Sequence, residues 1–443
     1  MLKILGIIGA IIVVGFFALA GAGWIITQQT PGQLVERALG AGGDLIFNDL
    51  FTEGSDTELS LHTPDTGTSW TQVYNKEGDD SLIVESSSNN LRMHGSDASA
   101  GAHYTADSTY PSANYGMQMT MTTMSSAQDD MILPAIRGTD GGGSISAGYT
   151  VDDLSNAGSD NPQLVRITGT GSCTVMKTLE NGQSVSYGAV LDNGDELLLT
   201  AYNDDIAAFN LTEYINIGYQ EDGNITGTGE AYIIAGSRPC DITGDFASGH
   251  RVDNVQVIEY GASTTDWANP TTNGEVHTDW SNPGNAYASD NSDASALNDA
   301  NGGQFQDYGD FGFSSTDVET VRGIMVRGEF GCSSADYCVL EVSVSNDNGS
   351  TWSTIAYKAF MDGTADDYYQ WGHADELWGL TWTASDITDT DLRIRVEHAE
   401  GQDTGTDIFL DHIQVQVIYD PGAGEEPPVA TSTGAVGQSV FVF

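Results

Sequence analysis

From Asp44 to the end of the alternating pattern near Asp420, apolar positions recur with a period of two in short runs. Examples are Leu82-Ile-Val84, Tyr115-Gly-Met-Gln-Met-Thr-Met121, Leu164-Val-Arg-Ile167, Glu196-Leu-Leu-Leu-Thr200 and Tyr232-Ile-Ile234. Successive side chains of an extended segment point to opposite faces, so this period predicts strands with one face on a core. Turn sequences such as Leu191-Asp-Asn-Gly194 and Glu221-Asp-Gly-Asn224 punctuate the runs. Many short strands without a helical period predict an all-β chain built from antiparallel β-sandwiches or jelly rolls. Later runs repeat the pattern. Leu392-Arg-Ile-Arg-Val-Glu397 turns Leu392, Ile394 and Val396 to one side, and Leu340-Glu-Val-Ser-Val344 leads into the turn Asn346-Asp-Asn-Gly349.

Two stretches echo one another: Val252-Asp-Asn-Val-Gln-Val-Ile-Glu-Tyr260 and Leu410-Asp-His-Ile-Gln-Val-Gln-Val-Ile-Tyr419. In the second, Ile413, Val415 and Val417 face one way, with Gln414, Gln416 and Ile418 on the other side. Each copy is followed by a Gly- or Pro-rich break, as expected of the closing strands of two tandem domains. The predicted organisation is an anchor or signal segment over 1–30 and a juxtamembrane linker over 31–43. A jelly roll over 44–260, a linker over 261–264, a second β-sandwich over 265–420, and a Pro/Gly linker with a terminal strand over 421–443 follow. That last strand, Val440-Phe-Val-Phe443, is expected either to tuck onto a domain or to begin a further module.

One segment departs from the strand pattern. Ile4 to Ile26 is an uncharged apolar run long enough to cross a bilayer as a helix, preceded only by Lys3. Two readings stand. A cleaved signal peptide would use Ala18-Leu19-Ala20 as its processing site, but the apolar run continues through Trp24 to Ile26, which favours an uncleaved transmembrane helix. Both place the rest of the chain outside the cytoplasm, membrane-anchored with extracellular domains or secreted.

Charge narrows the partners. Lys and Arg number 14 against 63 Asp and Glu, a formal net charge of -49. A surface with that field repels phosphate backbones, which excludes nucleic acid as a partner. The acidity reads either as general solvation or as oxygen-rich Ca²⁺ loops. The four cysteines fit an exported chain. The pairing that respects the domain boundary is Cys173–Cys240 and Cys332–Cys338, with free buried thiols as the alternative; no CxxC or nearby His pair suggests zinc.

The residues Asp49-Leu-Phe51 and Leu61-His-Thr-Pro-Asp-Thr-Gly-Thr-Ser-Trp70, with Gly194-Asp-Glu-Leu-Leu-Leu-Thr200 and Arg251-Val-Asp-Asn-Val-Gln-Val257, resemble a concanavalin A-like (laminin-G-like) jelly roll. The resemblance covers about 44–260 and implies a lectin-like sandwich. Further on, Trp280-Ser-Asn-Pro-Gly-Asn-Ala-Tyr-Ala-Ser-Asp290, Asp310-Phe-Gly-Phe313, Val321-Arg-Gly-Ile-Met-Val326, Leu377-Trp-Gly-Leu380 and Asp411-His-Ile-Gln-Val415 occur in that order. They resemble a β-sandwich module of exported and phage-associated surface proteins. Physically, Asn282-Pro283 forces a turn, Trp280 plugs one end of a core, and Ala286-Tyr-Ala288 is expected to begin a strand. Asp290, Asn291 and Asp293 are candidate Ca²⁺ ligands from this stretch, although the full spacing of a calcium loop is missing.

Catalytic signatures are scarce. The Glu-x-Asp-x-x-Glu strand of jelly-roll glycosidases is not present, nor is G-x-S-x-G, HExxH, a P-loop or a GxGxxG with strand context. The eight His are scattered without metal-ligand spacing, so turn or surface roles are expected for them. The cluster Tyr368-Tyr-Gln-Trp371 with Trp378 and Trp382 is the candidate ligand surface: Tyr368, Tyr369, Trp371 and Trp378 could stack on sugar rings while Asp366, Asp367 and Asp375 accept from hydroxyls. The alternative is that these rings are core, with Trp378, Leu380 and Trp382 alternating along a strand. The function expected is a non-catalytic exported surface protein for adhesion, binding of a glycan or a surface protein, or structural display. Two alternatives are kept: a polysaccharide hydrolase or lyase on the first jelly roll, and a virion or filament subunit.

Overall fold

The computed structural model describes residues 43–421 apart from 76–80, 95–100, 125–130, 143, 153–162, 170–171, 179–190, 237–249, 261–262, 273–279, 297–302, 315–317, 334–337, 362–365, 389 and 400–405. The apolar run Ile4–Ile26, the juxtamembrane segment, Cys240, His277 and the Val440–Phe443 strand lie outside the described residues. Among the described residues no helix is long and apolar enough to cross a membrane.

The regular structure is strand. The first half supplies β1 (Gly43–Asp49), β2 (Thr57–Glu58), β3 (Ser69–Asn75), β4 (Ser81–Glu85), β5 (Asn90–His94), β6 (Gly101–Asp107), β7 (Tyr115–Thr123) and β8 (Met131–Asp140). It continues with β9 (Ile145–Asp152), β10 (Gln163–Gly169), β11 (Ser172–Thr178), β12 (Asp195–Tyr202), β13 (Asp205–Asn210), β14 (Ile215–Glu221), β15 (Glu230–Gly236) and β16 (Arg251–Tyr260). The second half supplies β17 (Ser263–Thr264), β18 (Trp280–Ser281), β19 (Ala294–Ala296), β20 (Gln304–Gly309) and β21 (Val318–Cys332). It ends with β22 (Cys338–Ser345), β23 (Tyr357–Met361), β24 (Asp367–Trp371), β25 (Arg393–His398) and β26 (Ile408–Pro421).

These strands form three sheets. A 7-stranded sheet runs β11-β10-β9-β8-β15-β6-β3, and a 6-stranded sheet runs β18-β19-β26-β21-β24 with β17 beside β26. Between them lies a 13-stranded sheet, β2-β4-β5-β16-β7-β12-β13-β14-β23-β22-β25-β20, with β1 on β16. Sequence alternation predicts two tandem sandwiches; the structure adds a join between them. β14 pairs in parallel with β23 through Ile215↔Lys358 and Asn216↔Ala359, so one sheet runs through both halves. Alternation along its middle strands serves two cores at once. Leu197, Leu199, Ala201, Ile206 and Ala208 face the 7-stranded sheet. Their neighbours Leu198, Ala207 and Phe209 pack into the core of the second half. A strand buried on both faces loses the simple apolar-in, polar-out pattern.

The closing strands behave alike. Ile413, Val415 and Val417 are fully buried as predicted, but Ile418 on the other face is fully buried too. It packs with Met325, Tyr202, Ile258 and Tyr260 in a small cluster between the halves. Two local expectations are corrected. Residues Pro283–Ala286 form a short 3-10 turn instead of leading into a strand at Ala286, because Asn282 enters it in the left-handed conformation with φ 52° and Pro283 fixes the next φ. Trp378 lies in a turn and Leu380 and Trp382 in irregular chain, not on a strand: Trp378 has φ 59° and its backbone N–H donates to Glu376 Oε1 at 2.6 Å.

The residues carrying the jelly-roll resemblance form a buried clasp. Asp49 Oδ2 accepts from Trp70 Nε1 at 2.6 Å, and Asp49 Oδ1 accepts from the backbone N–H of Phe51 at 2.8 Å. His62 Nε2 lies 2.8 Å from Asp49 Oδ1 and its Nδ1 2.7 Å from Glu53 Oε1. Asp49 is completely buried, so each donor around it depends on that one carboxylate. Asp49→Asn, which turns one acceptor into a donor, is expected to destabilise the fold by about 2–3 kcal/mol. Equal urea midpoints for variant and parent would refute this.

Candidate functional site

A cleft of about 230 Å³ opens where β14 meets β21 and β24. Tyr219, Gln220 and Glu221 line it from the first half, and Arg327, Asp367 and Tyr368 line it from the second. The cleft follows from the outward face of the 6-stranded sheet. Registers Arg327↔Gln370, Glu329↔Tyr368, Arg327↔Gln414 and Glu329↔His412 place these side chains in two rows across β24, β21 and β26. The inward neighbours Val326, Phe330, Tyr369 and Trp371 belong to the core.

Arg327 is the hub. Its guanidinium lies 4.3 Å over the Trp267 ring and 5.9 Å from the Tyr368 ring centroid. Nε donates to Gln414 Oε1 at 2.8 Å, and Nη1 donates to the Tyr219 hydroxyl at 3.1 Å. Nη1 also lies 3.5 Å from Asp205 Oδ1 and 3.4 Å from Glu221 Oε2. Asp205 accepts from the Tyr219 hydroxyl at 2.5 Å and from Trp267 Nε1 at 3.2 Å. Burial raises the Asp205 carboxyl above its ordinary value, against the opposing pull of Tyr219, Arg327 and Trp267. A second cation closes the other end. Lys177 of β11 pairs with Asp367 and sits 4.4 Å over the Tyr369 ring.

Tyr368 is half-buried and carries the outer margin. Its hydroxyl lies 3.1 Å from His412 Nδ1, and His412 Nε2 lies 3.0 Å from Asn269 Oδ1. Burial and the Arg327 charge lower the His412 imidazole, which keeps it neutral. Beyond Tyr368 stand Asp366, Glu329, Asp293, Asp290 and Asp411. Burial, then the charges of Asp293, Glu329 and Asp411, raises Asp366; burial, then Asp411, Glu329 and Asp290, raises Asp293.

The sequence candidates therefore separate. Tyr368 and Asp367 line the cleft and Asp366 stands beside it, exposed. Tyr369 is 4% exposed, and Trp371 and Trp378 are fully buried. Those three rings are core: Trp371 lies 5.9 Å from Phe330, and Trp378 meets Tyr357 edge-on at 5.1 Å. Asp290 and Asn291 are exposed. The Asp411 carboxylate accepts from the backbone N–H groups of Asp290 and Ser292, which fixes the loop. Among the described residues no group of three or more His, Cys, Asp or Glu is placed to hold a metal ion. Cys332–Cys338 is a disulfide with Cα atoms 6.1 Å apart; the Cys173–Cys240 pairing involves Cys240, outside the described residues.

Of the turn or surface roles expected for the histidines, a surface role is corrected for six: His62, His103, His250, His373, His398 and His412 are buried, while His94 is exposed. Sequence reasoning also missed Arg327, Tyr219, Asp205, Trp267 and Gln414. The one signal available was scarcity, since a chain with 14 basic residues rarely spends one inside an apolar strand.

No protein-family model matches the chain, and no curated protein gives a significant match. Solved structures do. The Ca²⁺/Man2-bound exoplasmic/lumenal domain of VIP36 is 10% identical, covering 47% of this chain and 88% of that one at a TM-score of 0.30. The CBM2 module of an evolved Dit from Lactobacillus casei BL23 phage J-1 is 8% identical, with 50% and 98% covered and a TM-score of 0.32. The CBM22 tandem of Paenibacillus barcinonensis Xyn10C is 10% identical, with 84% and 98% covered and a TM-score of 0.23. Likeness of that size carries no argument about this chain.

Proposed function

We propose that this is an exported, non-catalytic binding protein whose site is the cleft around Arg327 and Tyr368, and that its ligand is a glycan. The observation that carries the reading is the composition of the cleft: a half-exposed tyrosine ring beside planar polar groups held rigid by one another. Tyr368 offers an aromatic face, and Gln220, Glu221 and Asp367 offer acceptors and donors for hydroxyls. The cleft is smaller than the roughly 300–1,000 Å³ typical of enclosed small-molecule sites. It suits one or two units of a longer ligand lying across the open sheet. A non-catalytic role is supported by the state of Asp205, the raised carboxyl behind the cleft residues Tyr219 and Arg327. Tyr219, Trp267 and Arg327 all engage it, leaving it unavailable as an acid or base toward a substrate. Export is supported by the Cys332–Cys338 disulfide, a bond that persists in oxidising compartments.

A glycan array followed by calorimetry on the best binder tests the reading. Tyr368→Ala is expected to weaken binding by about tenfold, equivalent to ~1.4 kcal/mol, measured at a temperature where variant and parent are both fully folded. Tight binding that Tyr368→Ala and Gln220→Ala leave untouched would place the site elsewhere. New reducing ends released from a polysaccharide would favour the hydrolase or lyase alternative instead.

A further inference from the structure

The strand that brings Asp367 and Tyr368 to the cleft is held at both ends by charges. Among the described strands β24 pairs with β21 alone, and its start is tied across the halves by the Lys177–Asp367 ion pair. Its end passes through Gly372, with φ 73°, into a loop over residues 372–380 that buries His373, Ala374, Glu376 and Trp378 and exposes Gly379. A Cβ at Gly372 would lie 2.8 Å from the Trp378 ring and 2.9 Å from the Ile324 carbonyl, so the chain turns there in a space only glycine fits.

His373 opens that loop, and three residues meet around it. Its Nδ1 pairs with Asp375, and its Nε2 lies 3.4 Å from Glu376 Oε2, an ion-pair distance without hydrogen-bond geometry. Glu376 is held by the Tyr357 hydroxyl of β23 at 2.6 Å and by the Trp378 backbone N–H at 2.6 Å. The Ile324 backbone N–H of β21 donates to the Glu376 carbonyl at 3.0 Å, and Trp378 Nε1 donates to the Ile324 carbonyl at 2.8 Å. The loop bears on the first half: the His373 ring lies 6.0 Å from Phe209 of β13, and Ala374 packs with Tyr202, Tyr260 and Ile418.

We propose that protonated His373 is a latch that pins the 372–380 loop between the two halves and so keeps β24, with Asp367 and Tyr368, in place at the cleft. The titratable groups facing it are Asp375 and Glu376 on its own loop, Tyr357 on β23, and Tyr260 on β16, which feels the Asp375 charge. Among the described partners the imidazolium is the one counter-charge that the two carboxylates share. Burial works against that charge, but Asp375 and then Glu376 outweigh it and hold the imidazole up at about 9. A raised histidine contributes fully below its ordinary value near 6.5, and that contribution is lost as pH rises through about 9. Losing the proton leaves the buried Glu376 carboxylate and the half-buried Asp375 carboxylate without a counter-charge, which loosens the loop first and β24 with it. The inference concerns regulation of the proposed binding cleft, but its test needs no ligand.

Hydrogen–deuterium exchange of the whole protein, corrected for intrinsic rates, is the measurement. Segment 366–376 is expected to lose protection at least tenfold between pH 7 and pH 10, with a midpoint near 9, while β7 stays protected. His373→Gln is expected to expose the same segment already at pH 7 and to abolish the pH dependence. Asp375→Asn, which keeps the loop's shape, is expected to shift the midpoint to lower pH. Equal protection of 366–376 at pH 7 and pH 10, or a midpoint unmoved in Asp375→Asn, overturns the latch. Such a result leaves the binding reading intact, because no ligand enters the experiment.

Discussion

Arg137→Met is expected to lower the unfolding free energy by about 3–6 kcal/mol, a loss large enough to be read directly from a urea midpoint. Arg137 is 1% exposed, and its guanidinium is engaged by three backbone carbonyls, with the Asp204 charge acting on it from nearby. Its Nε donates to the Ala113 carbonyl at 2.9 Å, Nη1 to the Ile225 carbonyl at 2.9 Å, and Nη2 to the Asn203 carbonyl at 2.6 Å. Its own backbone N–H donates to the Tyr115 hydroxyl at 2.6 Å. One side chain therefore ties three separate loops at the end of the first sandwich. Methionine fills much of the volume but leaves three carbonyls short of a donor, at about 1–3 kcal/mol for each that stays buried. Lysine would reach one of the three and recover only part of the loss. Arg137 also adopts φ 50°, so Arg137→Gly should fare better than Arg137→Ala by about 1 kcal/mol, relieving the left-handed backbone. A midpoint for Arg137→Met within error of the parent would show that the loops hold without it. The effect should reach the cleft, because Asn203 lies in the turn that delivers Asp205 to Arg327.

Acid should weaken the fold through two other buried side chains. His103 and His250 are held at about 4, chiefly by burial, which disfavours the imidazolium. Their unfolded counterparts take a proton near 6.5. A depressed histidine contributes stability above 6.5 that is lost as pH falls toward 4, by about 3 kcal/mol for each when the transition is complete. Asp253 works the other way. Burial and the nearby Asp49 raise its carboxyl to about 7, against its Asn254 backbone hydrogen bond, so acid relieves a strain there. The diagnostic quantity is therefore a difference between proteins. His103 packs against the Tyr74 ring at 4.9 Å, and His103→Phe keeps that volume without the titration. From pH 7 to pH 4.5 the parent should lose about 2–3 kcal/mol more than His103→Phe. Parallel stability curves for the two proteins would contradict the buried neutral imidazole.

Local patterns were legible wherever one side of a strand met one core. Leu392, Ile394 and Val396 are buried at alternate positions as the sequence predicts. The same rule could have divided the aromatic cluster. If Tyr368 faces outward on β24, then Tyr369 and Trp371 must share the opposite, buried face or a turn. Trp378 escapes the rule because its loop is shaped by Gly372 and Gly379, both at positive φ, and not by strand period. The cleft was hidden for a different reason. Tyr219, Arg327 and Tyr368 come from three distant segments, and only the β14–β23 join and the registers of β21 align them. The buried histidines were illegible for the same cause. His62 and His373 have charged partners close in sequence, yet nothing in a spacing of a few residues says that the whole group will be sealed from water.

The long central sheet also sets the order in which the chain can mature. Gln256 reaches back 208 residues to Asn48, and Asn216 reaches forward 154 residues to Gln370. At synthesis speeds of roughly 5–20 residues per second, β14 would wait on the order of 10–30 s for the segment that covers it. Throughout that interval its open margin could recruit a neighbouring copy by strand exchange. A nascent chain of this design gains from delivery in an unfolded state, with closure deferred until both ends have emerged.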